Sequence, residues 1–77
     1  MTEIEKIYKE YNVPKLKVGD ICKVSDVWDG DTPEYEHAFW HNVFAGYTFF
    51  IVYEWEYFEK KENFLDSYVR ITKIWLY

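Results

Sequence analysis

Gly46-Tyr47-Thr48-Phe49-Phe50-Ile51-Val52-Tyr53-Glu54-Trp55-Glu56-Tyr57-Phe58 is the stretch whose reading decides the fold. Read with period two, one face carries Tyr47, Phe49, Ile51, Tyr53, Trp55 and Tyr57, and the other carries Thr48, Phe50, Val52, Glu54, Glu56 and Phe58. Successive side chains of a strand point to opposite faces, so the pattern predicts a long strand with one wholly apolar side. Its second side is apolar at first and acidic later. The early part is therefore expected to be covered on both sides, and the later part to emerge into water.

Working outward, residues 64–77 return as a second strand after the charged loop Lys60-Lys61-Glu62-Asn63. Its two extended halves, Tyr68–Ile71 and Ile74–Leu76, imply a shift of register near Thr72-Lys73. On the other side, residues 33–44 carry competing signals. Asp31 or Thr32 as N-cap, Pro33 in the first turn, early Glu34 and Glu36 and a closing Gly46 favour a helix. Alternation of Phe39, His41 and Val43 against Ala38, Trp40 and Phe44 reads as a strand. The helix is slightly favoured. Asp29-Gly30-Asp31-Thr32-Pro33 is a turn by composition and lacks the glycine and glutamate positions of a calcium-binding EF-hand loop.

Residues 20–28 read as another strand, with mixed alternation that a bulge near Ser25-Asp26 would reconcile. At the N-terminus, residues 2–12 read as a helix. Thr2 and Glu5 are spaced as a capping box, and Ile4, Ile7, Tyr8 and Tyr11 form one apolar stripe. Pro14 ends it. The turn into the 20–28 strand, Lys17-Val18-Gly19-Asp20-Ile21, resembles the opening of small SH3-like and PUA-like barrels. The expected architecture is a single α+β domain over 1–77: a small curved antiparallel sheet or SH3-like barrel with an N-terminal helix and a possible second short helix.

Seventy-seven residues make a small core, which supplies only a few kcal/mol of net stability. Cys22 is the sole cysteine, so neither an internal disulfide nor a cysteine zinc site can reinforce it. The reinforcement is aromatic: four Trp, eight Tyr and six Phe, 23% of the chain. Rings that so small a core cannot enclose must stay partly exposed, as at protein interfaces. No secretion signal and no apolar run long enough to span a bilayer is present, which predicts a cytoplasmic protein without a membrane partner.

The net charge is −5, and Val24–Glu59 holds no Lys or Arg. That window carries Asp26, Asp29, Asp31, Glu34, Glu36, Glu54, Glu56 and Glu59. Direct nucleic-acid binding needs a basic track, so it is not expected. A basic partner surface suits this chain better, although acidic surfaces also serve solubility alone.

Catalytic motifs are lacking. Cys22, Ser25 and Ser67 are candidate nucleophiles, with His37 or His41 as base, but no motif surrounds them. No phosphate-cradling glycine loop exists, and neither an enzyme nor a cofactor is expected. Were 33–44 helical, Glu34, His37 and His41 would share a face and could hold zinc. The spacing lacks the second glutamate of a metalloprotease helix, so no metal is assigned.

What remains is acid beside aromatic. Carboxylates on one strand face recur at about 6.6–6.8 Å, near the phosphate spacing of a nucleic-acid strand. In size, charge and aromatic content the chain resembles, as a class, the nucleic-acid-mimicking inhibitors that phages and mobile elements encode against host defence enzymes. That resemblance implies a non-enzymatic inhibitor occupying the basic surface of a nucleic-acid-handling protein. The expected contact residues are Asp29, Asp31, Glu34, Glu36, Glu54 and Glu56, with Trp28 and Trp40 as anchors. A small-ligand or metal-binding barrel and a self-associating structural subunit are the alternatives, and a homodimer is left open.

Overall fold

The computed structural model describes residues 2–30, 32, 34–43 and 49–77. It is an α+β fold: helix α1 (Glu3–Glu10), strand β1 (Ile21–Lys23), a single helical turn α2 (Val24–Val27), β2 (Ala38–Asn42), β3 (Phe50–Glu59) and β4 (Tyr68–Leu76). The antiparallel sheet has the order β1-β4-β3-β2. It curls into a half-barrel. The two outer strands are not paired to each other, so the sheet stays open where a closed barrel would join them.

β3 lies in the middle because both of its faces are filled. Ile51, Tyr53 and Trp55 are buried in the core, and Val52 is fully buried on the opposite face. Such a strand needs a neighbour on each side, which explains the outcome at residues 33–44. The locally favoured helix is replaced by β2, whose residues pair in sequence from Ala38↔Glu54 to Asn42↔Phe50. Tertiary pairing overrides the local capping signals, and Phe39 and Val43 gain burial in the core. The expected strand residues 46–48 and helix residues Asp31, Pro33, 44 and 45 lie outside the described residues.

The other departures have equally local causes. Only 21–23 of the expected 20–28 strand is extended; Val24–Val27 form a helical turn, closed by Trp28 N–H donating to the Val24 carbonyl at 2.9 Å. Val24, Val27 and Trp28 are spaced i, i+3, i+4, so this turn directs all three inward, where a bulged strand could not. Phe64–Asp66 is a 3₁₀ turn instead of the start of β4, capped by Asn63 Oδ1 accepting from Leu65 N–H at 3.0 Å. Ser67, fully buried, follows it and accepts from Lys61 N–H at 2.8 Å, which ties the loop shut.

α1 begins at Thr2, whose hydroxyl accepts from Glu5 N–H at 3.1 Å. It buries Ile7 and packs Ile4, Tyr8 and Tyr11 against the core. The arm that follows is pinned twice. Tyr8 donates its hydroxyl to the Leu16 carbonyl at 2.6 Å, and Tyr53 donates to the Pro14 carbonyl. Burial pushes both phenols above their ordinary range. The chain then reverses at Gly19, whose φ of +96° requires glycine.

β3 and β4 meet with two irregularities. Glu54 pairs Lys73 while Trp55 pairs Ile71, which leaves Thr72 as an extra residue; Phe58 is likewise passed over between Tyr57↔Val69 and Glu59↔Tyr68. Without the bulge at Thr72, period two from Val69 and Ile71 would place Lys73 and Trp75 in the core. With it, Ile74 and Leu76 face the core instead.

Candidate functional site: an acidic rim and an aromatic outer face

Two surfaces carry the residues singled out by sequence. The first is the rim formed by α2 and the segment running to β2. Its organisation starts with Asp29, whose Oδ1 accepts from Thr32 N–H at 3.0 Å, while Trp28 Nε1–H donates to the Thr32 carbonyl at 2.9 Å. These bonds fold the loop back on the core. Trp28 is thereby a core ring, stacked on Phe39 at 6.4 Å and edge-on to Phe64 at 5.5 Å. It does not stand out as a contact anchor. Asp31 lies outside the described residues.

The rim closes in a two-residue turn. Tyr35 N–H donates to the Ala38 carbonyl at 3.2 Å, Glu34 bridges Phe39, and the central residues Glu36 and His37 have φ of 49° and 59°. Two consecutive left-handed residues define the hairpin turn that normally selects Asn-Gly. Here the conformation is held from outside: the His37 ring stacks on Trp55 at 4.6 Å with an interplanar angle of 5°, and its carbonyl accepts from Trp55 N–H at 2.9 Å. Glu36→Asn leaves that stack in place and relieves part of the backbone strain. It is expected to raise the unfolding free energy by about 0.5–1 kcal/mol in urea titrations; a destabilised variant would show that the Glu36 side chain has a structural role.

Asp26, Asp29 and Glu36 are exposed and Glu34 is half-buried. Among the described residues the ion pairs are Lys17–Asp20, Lys23–Asp66, Lys61–Glu59 and Arg70–Glu56. Asp26, Glu34 and Glu36 enter none of them. Between Glu34 and Glu36 stands Tyr35, 62% exposed, its ring edge-on to Trp40 at 6.1 Å. Tyr35 is not among the contact residues expected from sequence, because only the turn geometry sets it on the surface beside Trp40.

The second surface is the sheet face away from α1. Trp40 sits here with Phe50, Trp75 and Tyr77, at centroid distances of 5.9, 5.8 and 5.0 Å from its ring. Glu54 and Glu56 lie on the same face, and both are matched by β4. Glu54 is paired with Lys73 across the strands and accepts from Trp75 Nε1–H at 2.5 Å; Glu56 meets Arg70 at 3.3 Å. The basic-free window of the sequence therefore does not yield an acid-only face. The neutralising residues arrive from a strand some fifteen residues later in the chain, a pairing that needs the register and is invisible to composition.

The two histidines part company. His37 occupies the turn, whereas His41 lies on β2 with its ring edge-on to Tyr53 at 5.5 Å. The helical face that would have joined Glu34, His37 and His41 is absent, and among the described residues no group of three or more His, Cys, Asp or Glu could hold a metal. Burial lowers the His41 pKa, opposed by Asp29 and by its bond to the Val27 backbone. A histidine with a folded pKa below its unfolded value takes up its proton more readily in the unfolded chain. Stability is thus full above the unfolded pKa of about 6.5 and falls as pH drops through it. His41→Gln is expected to flatten this part of the stability–pH curve, checked by urea midpoints at a series of pH values. An unchanged slope would assign the acid sensitivity to other groups.

Cys22 is half-buried, and its thiol is pushed up by burial and then by Asp20 and Asp26, which disfavours a reactive thiolate. A cleft of about 180 Å³ between α1 and Phe49 is lined by Glu3, Lys6, Ile7 and Tyr11. Among the described residues no helix is long and apolar enough to cross a membrane. No family model, curated protein or solved structure matches this chain. Function is therefore read from geometry.

Proposed function

We propose that the protein is a non-enzymatic binding module that presents its acidic rim to a basic protein surface. The partner class we infer is a nucleic-acid-handling protein, whose groove the rim occupies in place of a phosphate backbone. An inhibitor encoded by a phage or mobile element against a host defence protein fits this reading. The observation that carries it is the state of the acids in α2 and in the segment leading to β2: Asp26, Glu34 and Glu36 enter no ion pair among the described residues, and Tyr35, between Glu34 and Glu36 in the chain, is exposed. Unpaired charge steers a basic partner and is not already spent within the fold. Tyr35, exposed and edge-on to Trp40, is of the residue type that dominates interface energies.

Glu54 and Glu56 become secondary in this reading, since Glu56 is ion-paired with Arg70 and Glu54 accepts from Trp75 Nε1–H across the strand from Lys73. Trp40 contributes by supporting Tyr35 from behind.

The test is capture from bacterial lysate on the immobilised protein, eluted by salt and by competing DNA, followed by a nucleic-acid-binding assay on the purified captured protein. The expected result is one basic protein that DNA displaces and whose own nucleic-acid binding this chain suppresses. Captured proteins that keep their full nucleic-acid affinity in the presence of the chain would overturn the proposal.

A further inference from the structure

The outer sheet face is built in a way the rim does not explain. Three of the exposed large apolar side chains, Phe58, Tyr68 and Tyr77, belong to it or border it, at 54, 39 and 64% exposure. Exposed rings thus stand at both ends of this face, with the charged residues of β3 and β4 between them. Its charges are ordered too. β3 contributes an acidic row, Glu54 and Glu56, and β4 a basic row, Lys73 and Arg70, at matching heights along the strands. The cations are held in place: Lys73 lies over Trp75 at 5.9 Å, and Arg70 over Phe58 at 5.4 Å.

We propose that this face is the interface of a homodimer whose two-fold axis runs parallel to the strands between β3 and β4. Rotation by half a turn about that axis exchanges the two strands while preserving position along them. Each exposed residue therefore lies over its own cross-strand neighbour in the second copy: Glu54 over Lys73, Glu56 over Arg70, and Phe50 over Tyr77, the last pair already joined in one chain by Tyr77 N–H donating to the Phe50 carbonyl at 2.9 Å. An acidic row beside a basic row is self-complementary under this one operation, as a two-fold interface requires. A uniformly acidic partner or a uniformly basic one would leave one row facing its own sign.

The available area sets the strength of the association. β3 and β4, of ten and nine residues, run about 30 Å at roughly 3.3 Å per residue. With β2 beside them, at about 4.8 Å per strand, they offer a strip about 15 Å wide and about 450 Å² per partner, below the roughly 800 Å² of a standard interface, so the dimer belongs to the weak class. The dimer is carried by the charge rows of β3 and β4 and the rim by the acids of α2 and the segment before β2, so charge changes in one set leave the other set intact and either proposal can fail without the other.

Sedimentation equilibrium of the full chain, from about 1 μM to about 1 mM, tests it across the range where modest interfaces associate. The expected mass rises from 9.5 kDa toward twice that value. Two charge-swapped variants assign the face. E54K/E56K and R70E/K73E should each weaken self-association at least about 100-fold, whereas their equimolar mixture should restore the dimer, because the acidic rows of one then face the basic rows of the other. Circular dichroism checks that each variant folds. Should either fail to fold, the salt response of the unmodified protein decides: matched ion pairs predict weaker association at high salt, and an association that is unchanged or strengthened overturns the charge-row interface. A monomer at every concentration, or a dimer indifferent to both variants, overturns it as well.

Discussion

Phe39→Ala is expected to remove most of the protein's stability, by about 3–5 kcal/mol. Phe39 is fully buried and is the point where the aromatic part of the core converges: its ring lies 5.4 Å from Trp55, 6.4 Å from Trp28 and 6.4 Å from Phe64. It also belongs to β2, the strand that local signals oppose, so the truncation removes both core volume and the burial that holds this segment extended. Flat, stacked rings cannot collapse into the space left by a phenyl group without moving the backbone, which places the change at the upper end for cavity formation. A core of this size has only a few kcal/mol to lose. In urea titrations followed by tryptophan fluorescence, the variant should show little or no folded baseline. Phe39→Leu, which refills most of the volume, should lose less than half as much. A cooperative transition within 1 kcal/mol of the parent for the alanine variant would mean that β2 is held by something other than this ring.

The second large effect concerns the rim. Reversing Asp26, Glu34 and Glu36 together to Lys is expected to slow association with the basic partner about 100-fold at low salt, through loss of steering and gain of repulsion. None of the three takes part in an ion pair among the described residues, so folding should change little, and the lysine at position 36 meets the same backbone conformation as the glutamate. Glu54→Gln with Glu56→Gln is the contrast. Glu56 is ion-paired with Arg70 and Glu54 is hydrogen-bonded to Trp75, and their neutralisation should alter association by less than about threefold. Binding kinetics against the captured protein, at low and high salt, separate the two. Equal losses from both variants would return the acids of β3 to the binding surface.

How much of this was legible beforehand differs by element. β3 could be read in full because its two faces obey period two and differ in polarity, so pattern and burial agree at every described position. The Thr72 bulge was legible for the same reason: the alternation of Val69 and Ile71 does not continue into Ile74 and Leu76. The segment 33–44 was not, because Thr32, Glu34 and Glu36 are sound helix-start chemistry, and what overrides them is the demand of β3 for a neighbour, a property of another part of the chain. Likewise, the single turn of α2 was hidden in an alternation that a bulged strand explains equally well over so few residues. At the site, composition located the acids but not their partners. Whether a carboxylate remains available depends on strand register, and register puts Arg70 beside Glu56, whereas Glu36, in its turn, enters no ion pair among the described residues.

The ring cluster of Trp40, Phe50, Trp75 and Tyr77 has an optical consequence. Trp40 and Trp75 sit edge to face, 5.8 Å apart at 75°, and two indoles that close and that skewed couple their electronic transitions into a paired positive and negative band. The far-ultraviolet dichroism of this protein should therefore carry an exciton couplet superimposed on the weak signal of a small sheet, and ordinary deconvolution would misjudge its strand content. Trp28 and Trp55 lie on the opposite side of the sheet and add a core contribution of their own, through pairs such as Trp55 and Tyr57 at 5.0 Å, so the outer-face share is read as the change on replacing Trp75 by Phe. Its amplitude offers a label-free gauge of whatever seats there, distinct from the fluorescence that follows the interior.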